Sequence, residues 1–143
     1  LLDRRGRDFT KRVNFVERLL DLGADINAPG GSNGNALQVA CWSGDIRLVK
    51  LLLDRGADVN VRDEFDHGAL QYSLSASKDR LDIMKLLLSN GADVNAQSPQ
   101  GNALHAACNV RCSKDEISLL LEHGVEIHAK SEGFGTASRH KIS

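Results

Sequence analysis

Four apolar runs return along the chain at near-constant phase. They are Val16 with Leu19-Leu20, Val49 with Leu51-Leu52-Leu53, Met84 with Leu86-Leu87-Leu88, and Ile117 with Leu119-Leu120-Leu121. Each run is helical in spacing and ends at a glycine, where a left-handed residue stops a helix at low cost. The polar phrase after each stop is also repeated. Gly23-Ala24-Asp25-Ile26-Asn27 becomes Gly56-Ala57-Asp58-Val59-Asn60, then Gly91-Ala92-Asp93-Val94-Asn95, then the weaker Gly124-Val125-Glu126-Ile127-His128. The glycines stand 33, 35 and 33 residues apart. A period of this length predicts an array of small stacked units whose stability is shared between neighbours.

A second phrase keeps step with the first. Asn35-Ala36-Leu37-Gln38-Val39-Ala40 recurs at Gly68 to Ser73 and at Asn102 to Ala107. Residues 35–60 show the unit most clearly. Ala36 to Trp42 predicts a first helix. Ser43-Gly44-Asp45 breaks it and caps a second helix running to Arg55, and Gly56 stops that. The polar stretch from Ala57 to His67 predicts an extended or hairpin-like loop. Ala36, Ala40, Ala69, Ala103 and Ala107 predict close approach between first helices. Asp25, Asp58 and Asp93 suit turn chemistry with nearby amides, and Asn27, Asn60 and Asn95 suit loop hydrogen bonding.

These phrases resemble the ankyrin repeat, whose signature has a period of about 33 and a T-P-L-H-x-A motif. The match lies at Asn35 to Ala40, Gly68 to Ser73 and Asn102 to Ala107. The family's Pro is Ala at Ala36, Ala69 and Ala103, and its His is Gln at Gln38 and Gln71 and is kept at His105. Gly-Asn-Ala-Leu-Gln after a Gly-rich loop is similar to arrays of filamentous fungi, often attached to large NTPase receptors of the immunity type. The resemblance implies an all-α solenoid of helix-turn-helix units with β-hairpin-like loops, forming one domain over 1–143. Its units are a partial repeat at 1–29, repeats at 30–62, 63–97 and 98–129, and a truncated or disordered final repeat at 130–143. Before Phe15 the expectation is a helix end and a long charged loop.

The resemblance also implies a function, protein–protein interaction through a concave face. That face is made of the loop tips and the exposed side of each first helix. Its candidate contacts are Ser32, Trp42 and Ser43 in one unit, Glu64, Phe65 and His67 in the next, and Asn109 and Val110 in the third. Trp42, the only Trp, is the sharpest candidate, because aromatics at exposed positions often dominate interfaces. The alternative for Trp42 is that it folds back and only packs. Tyr72 is expected to pack.

Charge adds little. The net charge is −1, but residues 1–18 hold six basic and three acidic residues, and residues 19–128 nine basic and fifteen acidic. A nucleic-acid footprint would need a longer basic stripe with aromatics interleaved. Nucleic acid is therefore not the expected partner, although contact through the basic N-terminus stays open as an alternative, as does a passive spacer role. No apolar run is long enough to span a bilayer.

Candidate chemistry is sparse. On a continuous helix His105, Cys108 and Cys112 would share a face, a possible metal trio with His123 as a fourth ligand. Yet His105 fills the repeat's own His position and Cys112 falls after the helix, so no metal is expected. Gly30-Gly31-Ser32-Asn33-Gly34 lacks the Lys-Ser/Thr of a phosphate cradle. No nucleophile or acid–base pair stands outside the repeat register. The chain is expected to be non-enzymatic, without cofactor, monomeric, and intracellular, most simply cytoplasmic. Three scattered cysteines fit free thiols in a reducing compartment. Leu1 is not an initiator Met, so a segment of a longer protein is expected.

Overall fold

A computed structural model describes residues 9–30, 34–76, 79–99 and 101–125. It contains α1 (Phe9–Asp21), α2 (Ala36–Ser43), α3 (Ile46–Asp54), α4 (Ala69–Leu74), α5 (Arg80–Ser89), α6 (Ala103–Asn109) and α7 (Lys114–Glu122). Helices α2, α4 and α6 pack in sequence as an inner row. Helices α1, α3, α5 and α7 pack in sequence as an outer row. The rows are joined pairwise as α2 with α3, α4 with α5 and α6 with α7. No strand forms among the described residues. The hairpin-like loops turn back with a single antiparallel bridge, Ser98 to Gly101.

The helix ends follow from side-chain chemistry. Asn35 accepts from the Gln38 amide at 2.9 Å, while Gln38 Oε1 accepts from the Asn35 amide at 2.7 Å. This reciprocal cap satisfies two amides that the first turn leaves without partners. Ser113 and Glu116 cap α7 in the same way. Asp45 caps α3 through the Leu48 amide at 3.2 Å. The stop glycines Gly23, Gly56, Gly91 and Gly124 all take positive φ, between 84° and 94°, a region where a Cβ is penalised.

The phrase after each stop stitches unit to unit. Asp25, Asp58 and Asp93 each accept from the amide two residues on, at 3.0, 2.9 and 2.9 Å. Asn27 Oδ1 accepts from the Asp58 amide, and Asn60 Oδ1 from the Asp93 amide, each at 2.8 Å. Asn60 and Asn95 also donate to the carbonyls of Gly91 and Gly124 at 3.0 and 3.2 Å. The glutamines in the family's His position bond to the loop that follows their helix pair. Gln38 Nε2 donates to the Val61 and His67 carbonyls at 2.9 and 3.2 Å, and Gln71 Nε2 donates to the Ala96 carbonyl at 3.3 Å. At the retained His105, Nδ1 accepts from the Asn102 amide at 3.0 Å.

The core is a continuous Leu, Ile, Val and Ala seam between the rows, with Leu37, Leu52, Leu74, Ile83, Met84, Leu87 and Leu120 fully buried. Two expectations are corrected. Residues 9–14 are not a loop, because α1 begins at Phe9. No Gly or Pro interrupts residues 9–22, and Val13, Val16 and Leu20 give the helix a face against the core. Ala36 is exposed, whereas Ala69 and Ala103 are buried. Among the described residues no inner helix precedes α2, so nothing in them covers its leading face. Residues 130–143 lie outside the described residues.

Candidate functional site

The inner helices present two columns of side chains that are exposed or only partly buried. Three positions after the opening Ala stand Val39, Tyr72 and Ala106, and six positions after it stand Trp42, Ser75 and Asn109. Helical geometry puts positions three apart on one face, and stacking aligns that face from unit to unit. Trp42 is 59% exposed and Val39 42% exposed, so Trp42 is not folded away into the packing.

Between the columns lies a groove of about 330 Å³, lined by Trp42, His67, Gln71, Tyr72, Ser75, Ser98, Ala106, Asn109 and Val110. It crosses three units. Of the sequence-derived candidates it brings together Trp42, His67, Asn109 and Val110. Phe65 continues the row from outside, its ring centroid 6.5 Å from that of His67. Ser43 and Glu64 are exposed but do not line the groove, and Ser32 lies outside the described residues.

Tyr72 packs against the core, as expected, and has a second role. It lines the groove, its ring stands edge-on to His67 at 6.2 Å between centroids, and its hydroxyl donates to Asp63. Asp63 organises the loop tip. Its carboxylate also accepts from the amides of Phe65 and His67 at 2.8 and 2.9 Å. Burial pushes the Asp63 carboxyl up, but the hydrogen bonds from Tyr72, His67 and Phe65 outweigh it and hold the group below its ordinary value. Burial, the bond to Asp63 and the charges of Asp63 and Glu64 push the Tyr72 phenol up to about 12. Tyr72 therefore stays a protonated donor at neutral pH. The column shared with exposed Val39 was the signal in the sequence for Tyr72; its bond to Asp63 left none.

Cys41 and Cys112 offer little reactivity. Cys41, Cys108 and Cys112 are free. Burial pushes Cys41 up to about 12, and burial with a hydrogen bond to Glu116 pushes Cys112 up to about 11, so both remain thiols rather than nucleophilic thiolates. Among the described residues no three His, Cys, Asp or Glu side chains are grouped to hold a metal. Helix α6 ends at Asn109, which leaves Cys112 in the following turn. No described helix is long and apolar enough to cross a membrane.

Comparison with known proteins agrees with this geometry. Residues 9–63 match the family model for ankyrin repeats in three copies, and residues 69–99 match the model for a single ankyrin repeat. The matches end at 99, yet α6 and α7 continue the same helix pair beyond it. Curated proteins give no match to the chain.

Proposed function

The chain belongs to the ankyrin-repeat family, and from that premise we propose that it binds a partner protein along the groove of its inner helices. Protein binding is the general role of the family. The contacts assigned to the partner are Ser32, Trp42, Ser43, Glu64, Phe65, His67, Asn109 and Val110, and we add Tyr72. The same reading makes the chain a monomeric recognition or scaffold segment of a larger intracellular protein, divided into units at 30–62, 63–97 and 98–129. Chemistry is assigned to none of its residues.

The observation that carries the proposal is Trp42. A lone Trp, more than half exposed, forms the wall of a groove that crosses three units. The backbone around it is fixed by hydrogen bonds between units, so little ordering cost attends binding. The test is affinity capture from native lysate by the wild-type protein and by a Trp42→Ala, Phe65→Ala variant whose helicity is unchanged. A protein retained by the wild type and lost from the variant supports the groove. Equal capture by both, or by neither, rejects it.

A further inference from the structure

The groove has aromatic walls, and the loop tip beside it is acidic. Trp42, Tyr72 and His67 line it, and Phe65 extends the row. No Lys, Arg, Asp or Glu side chain is among the lining residues. The adjoining tip carries three carboxylates, Asp63, Glu64 and Asp66. Asp63 is committed to Tyr72, Phe65 and His67, and Asp66 faces Arg62 at 3.9 Å. Glu64 is exposed, and its charge acts on the Tyr72 phenol. The neighbouring cation, Arg62, is turned toward Asp66 and the Gln97 carbonyl.

These features select among possible occupants. An acidic side chain would meet the charges of Asp63 and Glu64. A purely aliphatic one would cover the polar side chains of Ser75 and Asn109 without bonding them. A guanidinium satisfies both conditions. It is weakly hydrated, stacks on aromatic faces, and carries five donors for carbonyl, hydroxyl and carboxylate acceptors. Lysine, a compact and strongly hydrated charge, fits the aromatic faces less well.

Resting on the partner-binding reading above, we propose that the groove receives an arginine side chain from an extended segment of the partner protein. The guanidinium stacks against Trp42 and Tyr72, and Glu64 supplies the counter-charge.

Trp42 is the only Trp, so its fluorescence reports the groove directly. The probes are three capped pentapeptides, Gly-Ser-X-Ser-Gly, with Arg, norleucine or Glu at X, titrated at about 150 mM salt. The arginine peptide is expected to bind about fivefold more tightly than the norleucine peptide, and the glutamate peptide not to saturate. Glu64→Gln should weaken the arginine peptide about two- to fivefold and leave the norleucine peptide unchanged. Equal or tighter binding of norleucine overturns the inference, and so does a lack of saturation by the arginine peptide. If native capture still depends on Trp42 and Phe65 in that event, only the arginine assignment falls. If capture fails too, the partner-binding reading falls with it.

Discussion

Leu19 and Leu52 hold the same place in two units, four residues before a stop glycine. Their carbonyls even accept the same bond, from the amides of Ala24 at 3.0 Å and Ala57 at 2.9 Å. Yet Leu19 is 41% exposed and Leu52 only 1%. The difference lies in the neighbours. Helix α3 is held between α1 and α5 and backed by α2, whereas α1 packs mainly on α3. Phe15 and Leu22 share the exposure of Leu19. Burial in this molecule is conferred on a side chain by the adjoining pair, since no unit carries enough apolar surface to enclose its own stripe.

The largest expected effect tests that statement directly. Leu52→Ala should cost about 2–5 kcal/mol, and Leu19→Ala less than about 1 kcal/mol, both read from urea unfolding. Equal costs would mean that α1 is covered as fully as α3. Next in size is the stitch between units. Asn60 bonds both the Asp93 amide and the Gly91 carbonyl, so Asn60→Ala should cost about 1–2 kcal/mol. Asn27→Ala, which removes the bond to the Asp58 amide, should cost less.

A third comparison concerns pH. Burial pushes the Glu116 carboxyl up, but the hydrogen bonds from Arg80, the Ser113 amide and Cys112 outweigh it and hold the group below its ordinary value. A carboxyl lowered on folding contributes stability that is present above the unfolded pKa and lost as pH falls through the folded one. The α5–α7 contact, where Arg80 Nε meets Glu116 at 3.0 Å, should therefore weaken below the ordinary carboxylate range. Glu116→Gln should cost about 1 kcal/mol at pH 7 and flatten the acid limb of stability against pH. An unchanged acid limb would reject this assignment. The smallest effect is at Arg111, which holds φ of 55° before α7 where Gly44 holds 76° before α3. Arg111→Gly should raise stability by a few tenths of a kcal/mol to about 1 kcal/mol. A loss would show that the Arg111 side chain contributes more than its backbone conformation costs.

Much of this was legible in the sequence because the repeat compares the chain with itself. The stop glycines, the Asp turns and the exposed place of Trp42 all follow from register. The start of α1 did not, because that unit lacks the Asn-Ala-Leu-Gln phrase that marks the others, and polar residues interrupt its single buried face. The packing of Tyr72 was legible, but its place in the groove was not, because the Asp63 that bonds its hydroxyl stands nine residues upstream in a loop. Spacing along a chain does not reveal such a bond. At Gln38 and Gln71 the departure from the family's His was plain in the sequence, but the bonds their amides make to the neighbouring loop carbonyls were not.

The bonds from Asn27 to Asp58 and from Asn60 to Asp93 make one joint, used twice. A joint that is the same each time does not record how many came before it. A whole unit spliced in between equivalent asparagines would find its donor and acceptor waiting on both sides, whereas half a unit would find neither. Length in such a molecule is therefore inherited in whole numbers, and the groove grows by one rung for every copy gained.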